Sequence, residues 1–455
     1  MQVFQSSVEL PVPVDQAFAY HEQPGALQRL IPPWAKVAIE SSDHSIEPGA
    51  RVTLRMTTGG VPLRWIAEHR DYHPPHQFED VAISGPFHHW HHQHLFRTLT
   101  ANTSMMTDRV EYSLPLGALG QRVAGGYVRK QLETMFAYRH RITKRDLEMR
   151  ARYSLPPLNI AVTGAGGLVG NELIPFLSLL GHLPVRARRQ GDGSRTTFEL
   201  SEEGRWNDCD AVIHLAGKPI AEKRWSETVK SQIRDSRVGP TRELCQQLAA
   251  LTKPPRVLIC ASAIGIYGDR DDELLDESSA VGSGFLSSVA EQWEQACDPA
   301  RDAGIRVVHL RLGVVLSPRG GALSSMLMPA RLWLGGPLGS GKQWWSWIAI
   351  DDVLGAIYHA IANDTLHGPL NAVAPTPVTN HQFAITLGEV LGRPACVPAP
   401  ARVLRVALGE MADDLLLSST KVVPKALTTT GYEFAFASLD PALRHLLGRG
   451  RTAGR

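Results

Sequence analysis

Hydrophobic and polar positions follow two different patterns along the chain. From about residue 158 onward, short apolar runs alternate with longer segments in which apolar residues recur at three- and four-residue spacing. The runs are typical of strands buried on both faces, and the segments are typical of helices that bury one side. Their alternation predicts a parallel sheet with helices on both faces. The predicted strands are 158–163, 183–187, 211–215, 256–262 and 306–311, and the clearest helices are 168–180 and 231–251.

Before residue 158 the pattern is that of an antiparallel sheet followed by a helix. Apolar and polar residues alternate over 52–57 and again over 61–67, on either side of a Gly-Gly turn, which is typical of a β-hairpin. Residues 153–157, Tyr-Ser-Leu-Pro-Pro, end the helix because proline cannot continue it. The sequence therefore predicts a first domain over 1–152 and a second unit from 158. The other elements predicted in the first domain are strands over 87–96 and 105–114 and helices over 14–20 and 127–148.

Composition narrows the class of protein. The 455 residues are 43% hydrophobic and 20% charged, which is typical of soluble globular proteins, and a chain of this length is expected to form more than one domain. The formal net charge of +2 gives no field that would draw the chain to nucleic acid or to a membrane surface. No apolar run reaches the ~18 residues that span a bilayer. The N-terminus has no secretory pattern and the five cysteines form no Cys-x-x-Cys pair, so we expect reduced thiols and a cytoplasmic location.

A glycine-rich segment joins the first strand of the second unit to its first helix. Residues 163–170 read Thr-Gly-Ala-Gly-Gly-Leu-Val-Gly. Without Cβ atoms the backbone can turn sharply and approach a pyrophosphate, and the N–H groups of the following helix can bind the anion. A strand before and a helix after are the context that this motif requires. The residues predicted to hold the dinucleotide here are Gly164, Ala165, Gly166, Gly167, Leu168 and Val169.

The Gly-x-x-Gly-x-x-Gly spacing of this segment resembles the short-chain dehydrogenase/reductase superfamily. Residues 210–217 resemble the fourth strand of that superfamily, and 256–268 resemble the fifth strand of its extended, epimerase-like branch. The likeness is to a subgroup of NAD(P)-dependent epimerase-like proteins of unknown substrate, and it covers nearly all of 158–448. Further matching segments are 311–316, 335–343, 371–375, 391–394 and 409–412. The resemblance implies that the cofactor also contacts Leu215, Ala216, Gly217, Ala261 and Ser262.

The first domain resembles START/polyketide-cyclase-like helix-grip domains, in which a curved antiparallel sheet wraps around a C-terminal helix. The order of its elements and the opening residues 8–18, Val-Glu-Leu-Pro-Val-Pro-Val-Asp-Gln-Ala-Phe, carry this resemblance. It implies that the domain binds an apolar ligand. The fold class expected for the whole chain is therefore an α/β Rossmann fold, a doubly wound parallel sheet of the extended type, with an N-terminal α+β helix-grip domain and a small C-terminal lobe. The implied bounds are 158–374 for the Rossmann domain, about 317–347 for its substrate-lobe insertion, and 375–448 for the C-terminal domain that completes the lobe.

The end of the second predicted strand distinguishes the two nicotinamide cofactors. An NAD site normally has a carboxylate there, ~20 residues past the first glycine, which binds the ribose 2′-hydroxyl. In this chain residues 185–189 read Val-Arg-Ala-Arg-Arg. Guanidinium groups match a 2′-phosphate in charge and in geometry. We therefore predict NADP(H), with Arg188 and Arg189 on the 2′-phosphate; the alternative is a set of solvated arginines after a strand.

The catalytic residues that the resemblance implies are incomplete. Superfamily members that carry out redox chemistry use a Ser and a Tyr-x-x-x-Lys pair, in which the Tyr exchanges a proton with the substrate oxygen and the Lys lowers the pKa of the Tyr. Ser262 matches the Ser, but Phe285 and Val289 occupy the positions of the Tyr and the Lys. Another acid would have to serve. Ser262 itself, Tyr267 and Lys342 are candidates, each with a structural role as the alternative.

A histidine-rich run, residues 88–94, invites comparison with metal sites. It reads His-His-Trp-His-His-Gln-His, and on a strand its even-numbered members would share one face and its odd-numbered members the other. No carboxylate or cysteine lies at metal-ligand spacing within the run. We therefore expect a half-polar strand and no metal.

Two functions from different classes fit these observations. The first is an NADP-dependent oxidoreductase or epimerase-like enzyme that acts on an unknown small molecule, and the complete cofactor loop and Ser262 favour it. The second is a non-catalytic NADP-binding sensor or scaffold, which the missing Tyr and Lys favour. In both, the expected partners are small molecules and not nucleic acid, and a homodimer is left open.

Overall fold

The computed structural model describes most of the chain. The described residues are 1–58, 60–190, 197–201 and 205–450. Among them, no helix is both long enough and apolar enough to cross a membrane. The chain divides into two compact units, of which the first is Met1–Pro156 with Pro175–His182 and the residues from Leu447 onward, and the second is Pro157–Ile174 with Leu183–Leu446.

The first unit is built on one antiparallel sheet. Its elements are β1 (Gln2–Leu10), α1 (Val14–Glu22), α2 (Ala26–Leu30), β2 (Val37–Ser42), β3 (Arg51–Thr58), β4 (Val61–His73), β5 (Gln77–Ser84), β6 (His89–Thr98), β7 (Ser104–Ser113) and α3 (Gly117–Tyr153). The strand order is β1-β7-β6-β5-β4-β3-β2. The sheet is therefore a meander from β2 to β7, closed on one side by β1.

Burial along β7 shows which face of this sheet is covered. Every second residue from Ser104 to Tyr112 is buried, and the residues between them are half-buried, which is typical of a sheet with one face on the core. Val110 and Tyr112 share an apolar cluster with Leu132 and Phe136 of α3. The long helix therefore packs on this face.

The predictions for the first unit hold for the elements with clear periodicity. The predicted hairpin is confirmed as β3 and β4, and the predicted strands over 87–96 and 105–114 correspond to β6 and β7. The predicted start of the long helix at 127 is wrong, because α3 begins at Gly117. Its first turns contain several glycines, which have low helix propensity and no side chain to bury, so no apolar period was visible there.

The second unit is an α/β structure around one main sheet. The elements from residue 157 onward are β8 (Asn159–Thr163), α4 (Leu168–Leu179), β9 (Leu183–Gln190), β10 (Thr197–Leu200), β11 (Ala211–His214), α5 (Glu227–Asp235), α6 (Val238–Ala249), β12 (Val257–Ala263), β13 (Leu274–Leu275), α7 (Phe285–Gln295), α8 (Asp298–Asp302), β14 (Arg306–Leu312), β15 (Val314–Leu316), α9 (Gly321–Arg331), β16 (Trp344–Trp345), β17 (Trp347–Ala349), α10 (Ile350–Ala362), β18 (Gly368–Ala372), β19 (Val378–Thr379), α11 (Asn380–Leu391), α12 (Ala401–Leu408), α13 (Glu410–Ala412), β20 (Lys421–Val422), α14 (Lys425–Thr429) and α15 (Leu439–Leu447). Of these, the end of α4 from Pro175 and the last residue of α15 are counted with the first unit.

The main sheet has the order β10-β9-β8-β11-β12-β14-β18. All neighbouring pairs are parallel except β10 with β9. The chain leaves β8 toward β9 on one side and later returns to β11 on the other side. Strand order thus reverses at β8, and ligands of such sheets bind outside the carboxyl ends of the strands at this point.

All five predicted strands of this sheet are confirmed, but the single helix predicted over 231–251 is wrong. Two helices, α5 and α6, occupy this segment, with a break between Asp235 and Val238. Pro240 explains the break, because a proline in a helix interior loses a backbone hydrogen bond and clashes with the preceding turn, whereas in the first turn it costs little.

Short strand pairs connect distant segments of the second unit. β16 pairs with β19, β15 with β17, and β13 with β20. Trp347 is fully buried, and its Nε1 donates to the Thr376 carbonyl over 3.1 Å. The β16–β19 pair and the Trp347 bond therefore join the end of the predicted lobe insertion to residues 376–379.

Candidate dinucleotide site

The turn between β8 and α4 has no room for a side chain at its first glycine. Gly164 has a φ of 67°, which L side chains rarely adopt. A Cβ atom at this position would lie 2.6 Å from the carbonyl carbon of Leu215 and 2.8 Å from the amide nitrogen of Ala216. Glycine is therefore required for two reasons, and it brings the turn against the residues that follow β11.

Two other glycines of the turn have different roles: Gly170 allows close packing, and Gly166 leaves the backbone open to solvent. A Cβ atom on Gly170, in the first turn of α4, would lie 2.6 Å from the Cα of Ala165, so glycine lets the helix pack on the turn. Gly166 faces open space. The first turn of α4, which begins at Leu168, carries no acidic side chain. An open backbone surface beside a helix N-terminus without a competing negative charge is suited to a phosphate group.

Arginines lie at the end of β9, next to this turn. Arg186 Nη1 donates to the Ala165 carbonyl across 3.2 Å. Arg188 projects to the same side of β9 as Arg186, and Arg189 projects to the opposite side, because side chains alternate along a strand. Both are exposed. Sequence reasoning missed Arg186, although its spacing of two from Arg188 was a usable signal.

A buried hydrogen-bond chain fixes the ends of β8 and β11. Thr163 Oγ1 lies 2.7 Å from His214 Nδ1, and His214 Nε2 lies 2.9 Å from Thr241 Oγ1. Trp293 Nε1 donates to the same hydroxyl over 2.9 Å. Burial lowers the pKa of His214 to about 4, so its imidazole is neutral. The turn thus starts from a rigid, uncharged support.

A half-buried guanidinium, that of Arg237, adds positive charge beside the second predicted cofactor segment. A Cβ atom on Gly217 would lie 3.3 Å from the Cζ of Arg237. Arg237 donates to the Lys218 carbonyl over 2.8 Å and lies over the Trp293 ring at 5.1 Å. Burial lowers the pKa of Arg237 to about 10, so it remains charged at neutral pH.

Ser262 belongs to a buried polar network. The residue is 2% exposed, and its Oγ donates to Glu294 Oε1 of α7 across 2.7 Å. Arg311 donates to both oxygens of Glu294, each over 2.8 Å. Ser262 is thus bound to a carboxylate that is already ion-paired.

Tyr267 completes the same network. Its hydroxyl accepts from Arg311 Nη1 and donates to Asn371 Oδ1, both over 2.8 Å. Burial raises the pKa of Tyr267, although Arg311 opposes this effect. In this arrangement the Tyr267 hydroxyl is occupied by protein partners.

The positions that replace the Tyr-x-x-x-Lys pair lie on α7. Phe285 is the first residue of that helix, and its ring lies 5.2 Å from the ring of Trp225. Val289 is buried. Ala261, on β12, is 5% exposed, and the Lys342 side chain is exposed.

The fold and this site together define a Rossmann-type dinucleotide-binding protein. A parallel sheet reverses its strand order at β8, and a glycine turn with adjoining arginines lies at that point. Comparison with known proteins identifies the family.

Residues 160–372 match the NAD dependent epimerase/dehydratase family, residues 10–136 match the polyketide cyclase / dehydrase and lipid transport family, and residues 399–446 match a domain of unknown function, DUF1731. An epimerase family protein of Mycobacterium bovis is 38% identical over 302 residues, which make up 64% of this chain and 98% of that protein. The chain belongs to the NAD-dependent epimerase family, as its motifs predicted. It carries in addition a polyketide-cyclase-like domain, which corresponds to the first unit.

Two crystal structures are similar. The nucleoside-diphosphate sugar epimerase from Corynebacterium glutamicum is 31% identical with a TM-score of 0.76, over 98% of this chain and 90% of that chain. The human epimerase family protein SDR39U1, crystallised as isoform 2 with NADPH, is 34% identical with a TM-score of 0.58, over 64% of this chain and 99% of that chain. The first of these similarities includes both units.

Proposed function

We propose that the second unit binds NADPH across the carboxyl ends of β8 and β11. The observation that carries this proposal is the approach of Gly164 to Leu215 and Ala216, which joins the glycine turn to the second predicted cofactor segment. The NADPH held by the human relative supports the same cofactor.

We assign different residues to different parts of the cofactor. The backbone of 164–169 holds the pyrophosphate, and Arg188 with Arg189 holds the 2′-phosphate. Arg186 braces the turn through the Ala165 carbonyl. Residues 215–217 and Ala261 face the nicotinamide half.

We propose that the chain is an NADP-dependent oxidoreductase or epimerase-like enzyme. When bound, the cofactor would supply a hydride to a substrate carbon or accept one from it, and a protein group would correspondingly donate a proton to the substrate oxygen or take one from it. Because Ser262 and Tyr267 are held by Glu294, Arg311 and Asn371, we assign them a positioning role. The exposed Lys342 is the remaining candidate acid. Nucleotide sugars are the first substrate class to test, since one relative is named as a nucleoside-diphosphate sugar epimerase.

A second function is favoured by one specific observation. Phe285 and Val289 stand where the superfamily has its Tyr and Lys, and neither can transfer a proton. A non-catalytic NADP-binding sensor, with an apolar ligand in the first unit, would need no such pair. Transfer of deuterium from labelled NADPH to any carbonyl compound or nucleotide sugar would exclude the sensor.

Calorimetric titration with NADPH and NADH tests cofactor binding. The Arg188→Ala, Arg189→Ala double variant should lose most of its NADPH affinity and keep its weaker NADH affinity. Arg402→Ala, an exposed arginine elsewhere in the second unit, is the matched control. Absence of binding of either nucleotide to the unaltered chain would overturn the proposal.

A homodimer and a cytoplasmic location are two further predictions that can be tested. A homodimer would be seen by light scattering of the purified chain at micromolar concentration. A cytoplasmic location would be seen by fractionation of the cells that make it.

A further inference from the structure

Strands β5, β6 and β7 place a group of ionisable side chains on the covered face of the first unit's sheet. Asp80 on β5 is paired with His92 on β6, and Asp108 on β7 is paired with His94. His92 and His94 are two residues apart on one strand, so they share a face. His92 and Asp108 are buried, while the side chains of Asp80 and His94 are 17% and 12% exposed.

The spacing of three of these groups is that of metal ligands. One ligand atom each from Asp80, His92 and His94 lies within 4.8 Å of the other two. Asp80 Oδ2 is 3.1 Å from His92 Nδ1 and 3.7 Å from His94 Nε2. Metal–ligand bonds of about 2.0–2.2 Å at tetrahedral angles would place neighbouring ligand atoms roughly 3.4 Å apart. The two distances lie on either side of this value, and the longer one exceeds a hydrogen bond.

We infer that Asp80, His92 and His94 form a binding site for a divalent transition-metal ion, of which zinc is the first to test. Two imidazoles and one carboxylate are a common ligand set for zinc and for non-haem iron, and they leave a position open for water or a ligand. The ligands come from paired strands, so their spacing is set by the sheet register.

Asp108 lies where metal sites have an outer carboxylate. It is 2.8 Å from His92 Nε2, on the far side of the ring from Asp80, and such a bond fixes which ring nitrogen is free for a metal. Asp108 Oδ1 also lies 2.9 Å from His94 Nδ1, without the angle of a hydrogen bond. Its other oxygen is 2.6 Å from His140 Nε2 on α3. One buried carboxylate thus contacts three imidazoles.

Helix α1 contributes a further imidazole. His21 is 6% exposed, and its Nδ1 lies 3.0 Å from the Ala17 carbonyl. Its Nε2 is buried and has no hydrogen-bond partner among the described residues. The ring centroid lies 6.0 Å from that of His94. A buried donor or acceptor without a partner is costly, and a water on the metal would satisfy it.

The competing arrangement is an ion-pair network without metal. Burial disfavours a charged His92, but Asp80 and Asp108 outweigh it and raise the pKa of His92 to about 9. A protonated His92 would then lie between two carboxylates. The two arrangements differ in metal content, which can be measured directly.

The expectation of no metal considered the histidine-rich run alone. The carboxylates come from neighbouring strands, twelve or more residues away along the chain, and only the strand register shows that they lie opposite the histidines. The alternation of faces predicted within the run agrees with the burial of Trp90 and His92 and the exposure of His89.

The test uses the untagged full chain. Metal content of the purified protein is measured by mass spectrometry, and chelator-treated protein is titrated with Co²⁺ and followed by its visible absorption. We expect one equivalent per chain, with a tetrahedral Co²⁺ spectrum that Zn²⁺ abolishes. His94→Ala and Asp80→Asn should weaken binding by at least about ten-fold. His89→Ala, an exposed histidine of the same strand, should bind as the unaltered chain does.

Two results would overturn the inference. If the unaltered chain bound no stoichiometric Co²⁺ or Zn²⁺, the ion-pair network would be the explanation of the cluster. This result does not depend on whether any variant folds. If all variants bound the metal equally well, the metal would be bound at surface histidines and not at the proposed site. Far-ultraviolet circular dichroism and NADPH titration of each variant show whether both units remain folded.

Discussion

Ser262, a buried residue of β12, donates a hydrogen bond to Glu294 of α7 across 2.7 Å. Glu294 also binds Arg311 through both of its oxygens. The residue that matches the superfamily's serine therefore shares a half-buried carboxylate with Arg311. The hydrogen bonds of Ser262 therefore contribute mainly to the stability of the fold. Any effect of Ser262 on catalysis would be indirect, through Glu294 and Arg311.

Glu294→Ala should destabilise the second unit strongly. Arg311 is 6% exposed, so the substitution leaves a buried guanidinium without its carboxylate, and breaking such a pair costs about 3–5 kcal/mol. Urea unfolding followed by tryptophan fluorescence measures the effect. Glu291→Ala, at an exposed position of the same helix, should change the free energy of unfolding by less than about 0.5 kcal/mol. Equal effects of the two substitutions would show that the ion pair does not stabilise the fold.

Substitutions at two glycines of the turn should both weaken NADPH binding but should differ in their effect on stability. Gly164→Ala introduces a Cβ atom 2.6 Å from the Leu215 backbone at a positive φ, so we expect loss of thermal stability and of NADPH binding together. Gly166→Val places its side chain in open space, so stability should be kept. NADPH affinity should still fall at least ten-fold, because the added group occupies the place of the pyrophosphate. Full affinity in Gly166→Val would mean that the cofactor does not lie on this turn.

The sequence was most informative where one element or one contiguous motif carries the structure. Buried apolar runs predicted the five strands of the parallel sheet, because strands covered on both faces have no polar alternation to obscure them. The glycine turn was predicted because its motif is contiguous, with all of its glycines within 163–170. The assignment of residues 215–217 to the cofactor came only from the family resemblance. The structure shows that Gly164 of the turn lies against Leu215 and Ala216, and the assignment itself stays a prediction.

What the sequence could not predict depends on partners far apart in the chain. Glu294 is 32 residues from Ser262, and nothing in either local pattern pairs them. From the sequence, Arg186 is only a residue of a predicted strand. The pairing of β8 with β9 in the structure places its guanidinium beside the Ala165 carbonyl. In each case the missing information is the relative position of two elements.

The Arg186→Ala substitution should weaken the binding of both NADPH and NADH. Its guanidinium braces the Ala165 carbonyl, so the turn loses support whichever nicotinamide nucleotide binds. A hydrogen bond from a charged donor is worth about 1.5–3 kcal/mol, which corresponds to at least about a ten-fold loss of affinity. The Arg188→Ala, Arg189→Ala variant should by contrast affect NADPH alone. If Arg186→Ala weakened NADPH and left NADH unchanged, Arg186 would have to be reassigned to the 2′-phosphate.

Acid should destabilise the second unit through His214. Burial lowers its pKa in the folded state to about 4 from the usual 6.5. Between these values the unfolded chain takes up a proton that the folded chain does not, so this stability is present above pH 6.5 and is lost as the pH falls toward 4. The expected loss from this group is about 2 kcal/mol between pH 7.5 and pH 5. His214→Gln should be less stable at pH 7.5, because its bonds to Thr163 and Thr241 change, but its stability should fall less toward pH 5. Urea unfolding at the two pH values measures both effects, with the exposed His381→Gln as the control. An equal fall for His214→Gln and the unaltered chain would show that His214 is not the group that takes up the proton.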